Sequence, residues 1–214
     1  MRAFIFDLDG VVVNTAKYHY LAWRKLAGEL GFIFDRSQNE RLKGVSRMES
    51  LQIVLEAGHI VSLTEGEKAE LADRKNRYYL EMISKIDESE ILPGILEFIG
   101  KIRRAGYKTA LGSASRSGGM ILRKLHIDRE FDVIVDGNEV EKPKPDPEVF
   151  VRAARLLGVP CRECVVVEDA AAGVEAAHAG GMKCIGIGSR AVLGDADAVV
   201  DSTIELSRIE LEGL

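Results

Sequence analysis

The chain has no long apolar run. Nothing in its 214 residues approaches the roughly 20 consecutive apolar positions of a membrane-spanning helix. It has little cysteine: three residues, Cys161, Cys164 and Cys184. The first two form a C-x-x-C pair, but no second pair completes a zinc site. A thioredoxin-like pair would open a helix after a strand, whereas Cys164 leads into the apolar stretch CVVVED. The pair reads as ordinary reduced thiols, in line with a cytosolic protein. Net positive charge is missing too. The formal charge of −5 argues against a general nucleic-acid binder or a partner of anionic membranes. It leaves room for a local positive pocket that holds a small anion. The N-terminal strand carries two acids and so lacks the uninterrupted core of a signal peptide. No repeat and no low-complexity segment is found. With 46% hydrophobic and 29% charged residues, the composition is that of an ordinary globular chain. The expectation is a cytoplasmic protein, monomeric by default, without nucleic-acid or membrane partners.

What is present begins with FIFDLDGVVVNT, residues 4–15. Residues two apart on a strand face the same way, so Asp7 and Asp9 would share one small volume while Leu8 turns to the core. Two carboxylates that close repel unless a cation lies between them or one keeps its proton. Gly10 is free to adopt backbone angles that other residues avoid. A plain hairpin turn at Asp-Gly explains the stretch equally well on its own.

The rest of the chain supplies context. Residues 2–6 read as an apolar strand. Tyr18, Leu21, Ala22, Leu26 and Leu30 recur at helical spacing over 16–30, with Gly31 as a stop. Helices over 39–43, 46–57 and 64–86 are expected next, the last opened by a capping box of Thr64 and Glu67. From 14 to about 85 no strand is expected. Pro93-Gly94 then opens a helix to about 105, proline in its first turn and Gly106 as a stop. Strands over 107–112, 131–135, 164–167, 183–187 and 198–200 follow. Between them lie helices to about 125, over 146–157 and over 173–179. Such alternation implies parallel strands with right-handed crossovers. Strands apolar throughout imply a sheet covered on both faces. The expected fold class is α/β: a doubly wound, mainly parallel sheet core formed by 1–14 and 86–214. An all-helical cap domain, 15–85, is inserted after its first strand.

Sites in open α/β sheets lie beyond the carboxyl ends of the strands. Those ends carry Asp7 and Asp9, then Ser113, Ala114 and Ser115, then Glu168 and Asp169, with Lys144 in a loop past the 131–135 strand. Oxygen-only ligands suit Mg²⁺, which takes one or two carboxylates, waters and a substrate phosphate. A lysine beside them suits phosphate charge. Taken singly, Glu168-Asp169 also reads as a helix-start acid pair, Lys144 as a solvated lysine and Ser113 as a cap. Their meeting at consecutive strand ends favours the functional reading.

Four pieces then come in order: FDLDGVV from residue 4, GSAS at 112–115, KPDPEVF at 144–150 and VVVEDAAAGVEAA at 165–177. Together they resemble the haloacid dehalogenase (HAD) superfamily of phosphoryl-transfer enzymes, with its Rossmann-like core. The inserted block, with NTAKYHYLAWRKLA (14–27), LKGVSRMESL (42–51) and RKNRYY (74–79), resembles the cap of that family's hexose-phosphate mutases. The resemblance implies Asp7 as a nucleophile that forms an aspartyl-phosphate and Asp9 as general acid/base. It implies Mg²⁺ held by Asp7, Asp169 and the Asp9 carbonyl, with Glu168 nearby. Ser113, Ala114 and Lys144 would hold the transferring phosphoryl group. Thr15, Lys43, Gly44, Val45, Ser46 and Arg47 would help grip the sugar phosphate, with His19, Trp23 and Lys75 near the hinge and the sugar. Ser115 and Arg116 would hold the distal phosphate. The implied activity interconverts β-D-glucose 1-phosphate and glucose 6-phosphate, with β-glucose 1,6-bisphosphate as intermediate and priming donor. A sugar-phosphate phosphatase is the alternative, and a non-catalytic sugar-phosphate-binding protein a remote one. Two departures stand out. The family often reads Ser-Lys-Asn where this chain has Ser115-Arg116-Ser117, and arginine differs from lysine in geometry. The loop EKPKPDPEVF carries both Lys142 and Lys144, and the family's spacing selects Lys144, with Lys142 as the fallback.

Overall fold

The computed structural model describes residues 1–42 and 45–210. The chain divides into two compact units, one of Met1–Asn14 with Asp87–Leu214 and one of Thr15–Ile86.

The first unit is built on a parallel sheet. Its strands are β1 (Ala3–Phe6), β2 (Lys108–Gly112), β3 (Val133–Val135), β4 (Cys164–Glu168), β5 (Lys183–Ile187) and β6 (Ala198–Val200). Their order is β3-β2-β1-β4-β5-β6, with every pairing parallel. β1 is central: Ala3 lies between Lys108 and Cys164, and Phe6 between Leu111 and Val167. The chain winds outward to β3 on one side and returns to β4 on the other. That reversal opens a crevice at the carboxyl ends of β1 and β4.

The sequence of β1 shows why both faces are covered. Ala3 and Ile5 share a core cluster with Val149, Phe150 and Ala153 of α7 (Glu148–Leu157) and with Ala176 and Ala177 of α8 (Ala171–Ala179). Phe4 and Phe6 face the other way, edge-on to Phe98 of α5 (Ile95–Arg104), at 5.7 and 6.2 Å between centroids. All four β1 residues are fully buried, so an unbroken apolar run is what the position demands. The short α6 (Gly118–Lys124) and α9 (Arg190–Leu193) complete the unit.

The second unit holds α1 (Ala16–Glu29), α2 (Arg36–Glu40), α3 (Arg47–Ala57) and α4 (Glu65–Ile83), with no strand among its described residues. Trp23, Leu26 and Ala27 of α1 pack with Phe34, with Leu51, Val54 and Leu55 of α3, and with Leu71 and Ala72 of α4. In the first unit, the two chain segments that flank this insertion pair with each other. Val13 bridges Ile91, and the Asn14 N–H donates to the Glu90 carbonyl at 2.7 Å. No described helix is long and apolar enough to cross a membrane.

Several element boundaries differ from expectation for local reasons. α2 spans 36–40 rather than 39–43 because Asp35 caps it: its carboxylate accepts the Gln38 N–H at 2.9 Å, and Gln38 returns a bond to the Asp35 N–H. α5 starts at Ile95, so Pro93 precedes the helix instead of lying in its first turn. Gly94 occupies the cap position at φ +80°, and a Cβ there would meet the Ile204 Cα at 2.8 Å. β3 begins at Val133 rather than at 131, because a 3-10 turn at Asp128–Glu130 runs up to Phe131. The Thr64–Glu67 box opens α4 as expected, and Ser46 with Glu49 forms a second one at α3.

The cysteines are free. Burial pushes the Cys164 thiol up to about 12, with the neighbouring Cys161 and Glu163 adding to the effect. Burial raises Cys184 as well. The thiolate is the reactive form, so a thiol reagent should modify only the half-buried Cys161 in the native protein, and all three cysteines after denaturation. Rapid native labelling of two thiols would contradict this packing.

Candidate active site

β1 ends at Phe6, so the expectation that Asp7 and Asp9 share one face of a continuing strand is corrected. The Asp7 N–H still donates to the Val167 carbonyl at 3.0 Å, one step past the β1–β4 ladder. The chain then curls. The Leu8 carbonyl collects the N–H groups of Val11, Val12 and Val13 at 3.4, 2.9 and 3.0 Å, and the Gly10 N–H donates to Val13 at 2.9 Å. Three amides on one carbonyl are incompatible with a continuing ladder. The fully buried Val11, Val12 and Val13 hold the curl in place. Gly10 has φ +88°, and a Cβ on it would run into the Asp169 carboxylate. Gly10→Ala should therefore combine a left-handed strain of about 1–2 kcal/mol with displacement of Asp169. The check is a urea melt, whose midpoint should fall.

Lys144 sits at the centre. It is 2% exposed, and its Nζ donates to Asp7 Oδ1 and to Glu168 Oε1, both at 2.6 Å. The Phe150 ring lies 4.5 Å from the same nitrogen. Glu168 Oε2 accepts the Ala170 N–H at 2.7 Å, so both Glu168 oxygens are engaged. Gly173 makes room for this carboxylate, since a Cβ there would collide with it. Lys142 lies outside the cluster: its side chain is 70% exposed and pairs with Asp146 at 3.5 Å. Of the two lysines, Lys144 is the buried one and Lys142 stays in solvent.

The electrostatics are unbalanced. Burial pushes the Asp7 carboxyl up to about 7; Lys144 pulls against that, and Glu168 and Asp9 add repulsion. For Lys144, burial works against the charged form, but Asp7 and Glu168 outweigh it and hold the ammonium above its ordinary range. Four carboxylates, Asp7, Asp9, Glu168 and Asp169, stand at these two strand ends beside one buried ammonium. That excess of hard oxygen donors suits a divalent cation. Among the described residues, no three His, Cys, Asp or Glu side chains gather into a metal cluster. Mg²⁺ needs no such cluster, because one or two carboxylates, waters and a phosphate satisfy it.

β2 delivers Ser113, which is 1% exposed. The Ser113 N–H donates to the Val135 carbonyl at 3.0 Å, and its Oγ accepts the Ser115 N–H at 3.1 Å. Ala114 and Ser115 are half-buried and Arg116 is exposed.

In the second unit, His19 and Trp23 are four residues apart on α1, and Lys75 and Tyr79 four apart on α4, so each pair shares a face. Lys75 is 3% exposed. Its Nζ lies 2.7 Å from His19 Nδ1 and 4.7 Å from the Trp23 ring. His19 stacks on Tyr79 at 3.9 Å. Burial, then the Lys75 and Arg47 charges, hold the imidazole well below its usual range, so the neutral Nδ1 accepts from the ammonium. Arg47 donates to Asn76 Oδ1 at 3.0 Å and pairs with Asp73 at 3.5 Å. Ser46 caps α3, preceded by the half-buried Val45, and the buried Thr15 accepts the Tyr18 N–H at the start of α1. Lys43 and Gly44 lie outside the described residues. Sequence reasoning missed Phe150 and Tyr79 as neighbours of the two buried lysines. The period was a signal for Tyr79, four residues after Lys75.

Comparison with known proteins agrees with this geometry. A family model described as haloacid dehalogenase-like hydrolase matches residues 1–181. The Bacillus subtilis protein named beta-phosphoglucomutase is 44% identical over 208 residues, covering 97% of this chain and 92% of that protein. A crystal structure of beta-phosphoglucomutase from Clostridium difficile superposes with a TM-score of 0.91 at 42% identity, covering 100% of this chain and 95% of that one. A Thermotoga maritima protein named phosphorylated carbohydrates phosphatase is 33% identical, over 86% of this chain and 84% of that protein. By matched family, by full-length similarity and by the carboxylates and lysine at its strand ends, the chain belongs to the haloacid dehalogenase-like hydrolase family.

Proposed function

We propose that the chain is a Mg²⁺-dependent phosphomutase that interconverts β-D-glucose 1-phosphate and glucose 6-phosphate. The observation that carries the phosphoryl-transfer chemistry is the buried Lys144 bridging Asp7 and Glu168 at 2.6 Å. The choice of mutase is supported by 44% identity over nearly the whole chain to a beta-phosphoglucomutase, against 33% to a phosphorylated carbohydrates phosphatase.

Asp7, Asp169 and the Asp9 carbonyl would hold the metal, with Glu168 behind Lys144. When bound, Mg²⁺ neutralises charge on the phosphoryl oxygens. Asp7 attacks the phosphorus of β-glucose 1,6-bisphosphate as a carboxylate, and an aspartyl-phosphate forms as the P–O bond to the sugar breaks. Asp9 gives its proton to the departing sugar oxygen. In the second half, Asp9 takes the proton of the attacking sugar hydroxyl, and the phosphoryl group leaves Asp7. Lys144 and Ser113, with Ala114, steady the phosphoryl oxygens. Ser115 and Arg116 take the phosphate that does not react. The second unit's Thr15, His19, Trp23, Val45, Ser46, Arg47 and Lys75, with Lys43 and Gly44, are assigned to the sugar phosphate. The bisphosphate also primes the enzyme by phosphorylating Asp7.

The test follows two products at once. With β-glucose 1-phosphate, Mg²⁺ and a trace of the bisphosphate, glucose 6-phosphate should accumulate with little free phosphate, and chelation of Mg²⁺ should stop it. Free phosphate keeping pace with substrate loss would make the protein a phosphatase.

A further inference from the structure

The 113–117 segment leaves β2 where its backbone ladder ends, and neighbouring side chains hold it from there. Three consecutive residues after β3 supply the brace. Asp136 Oδ2 accepts the Gly119 N–H at 3.3 Å, and its Oδ1 accepts the Asn138 N–H at 3.0 Å and Asn138 Nδ2 at 2.8 Å. The same Nδ2 donates to the Arg116 carbonyl at 2.8 Å. The Gly137 N–H donates to the Ser115 carbonyl at 3.2 Å. Gly137 also lies flat against the Ala114 carbonyl, which a Cβ would strike. Every carbonyl from Ala114 to Arg116 thus meets this brace, and no described bond of the Asn138 side chain goes elsewhere.

Resting on the mutase reading above, we propose that Asn138, oriented by Asp136, is a positioning residue. It fixes the Arg116 backbone so that the Ser115-Arg116 segment meets the non-reacting phosphate of the sugar phosphate. An amide with two donors on one nitrogen is the right group for this. One N–H goes to the Asp136 carboxylate, which sets the amide plane, and the other goes to the Arg116 carbonyl. Aspartate at 138 would have no donor, and its charge would face both the Asp136 carboxylate and that carbonyl. Asn138 is exposed and belongs to neither core cluster, so its loss should leave the fold intact.

The test compares two reactions of the Mg²⁺-loaded enzyme. One is the mutase reaction, in which the sugar brings a non-reacting phosphate alongside the transferring phosphoryl group. The other is phosphorylation of Asp7 by acetyl phosphate, which carries none; there the P–O bond to acetate breaks, acetate leaves with the electron pair, and the aspartyl-phosphate forms. Asn138→Ala should lower kcat/KM of the mutase reaction about tenfold, mainly through KM, with acetyl phosphate labelling and melting temperature unchanged. Asn138→Asp should lose more. In an Arg116→Ala background the Asn138→Ala effect should largely vanish, since neighbours acting through one group are not additive. Equal losses in both reactions, full additivity with Arg116→Ala, or no loss at all would each overturn the proposal. A wild-type protein without mutase activity would instead overturn the mutase reading.

Discussion

Asp7→Asn is expected to abolish phosphoryl transfer. The amide keeps the size and shape of the carboxylate but has no ionised oxygen to attack phosphorus. The mutase rate should fall by at least about 10⁴-fold, or ~5.5 kcal/mol of barrier. No phosphoenzyme should form from either the bisphosphate or acetyl phosphate. The protein should remain folded, because Lys144 keeps Glu168 at 2.6 Å and an amide oxygen can still accept from it. Mass spectrometry of the intact chain after acetyl phosphate treatment is the direct readout. A phosphorylated variant would remove Asp7 from the mechanism. Asp9→Asn should separate the two acids: it should still label with acetyl phosphate, whose leaving group needs no proton, yet fail with sugar phosphates.

Lys144→Met should damage both stability and rate. It leaves Asp7 and Glu168 buried against each other with no cation, and removing one partner of such a cluster costs about 3–5 kcal/mol. The pH dependence has a definite sign. Asp7 already sits up at about 7 with the lysine present, and without it the carboxyl rises further. A carboxyl whose folded value lies above its unfolded value binds protons more tightly when folded. Its charged form therefore opposes folding increasingly as pH rises from about 4 through 7. Metal-free Lys144→Met should lose the most stability near pH 8 and recover much of it near pH 5. Urea melts at the two pH values check this, and a loss independent of pH would mean that the carboxylates are not the cause. The mutase rate should also fall, on the order of 10²–10³-fold, as for loss of one preorganised donor at a developing charge.

Much of the fold was legible because it rests on local pattern. Apolar stretches of strand length alternate with helical periods, and that rhythm admits few architectures other than a parallel sheet with crossovers. β5 and β6 begin and end where the pattern placed them. The misplaced ends have local causes that composition does not rank. Asp35 outcompeted its neighbours as a cap, and Gly94 took a left-handed angle that no helix contains. The meeting of Asp7, Lys144 and Glu168 followed from one topological rule about strand ends, applied to residues 137 and 24 positions apart in the chain. The Asp136–Asn138 brace was not legible, because it depends on β3 lying beside β2, which no stretch of sequence announces.

The sequence by itself determined the class of the fold, the identity of the acids at the strand ends and the family resemblance, since these depend on residue type and on spacing along one chain. Only the tertiary structure decided that the strand stops at Phe6 and the chain curls from Leu8, carrying Asp9 off the strand, and that Lys144 and not Lys142 is the buried cation. The two lysines stand two residues apart in nearly the same local sequence. What separates them is burial: one ammonium lost its water and found two carboxylates at 2.6 Å, the other stayed in solvent. A buried charge must be paired, and pairing is a relation between distant parts of the chain that exists only once the chain has folded.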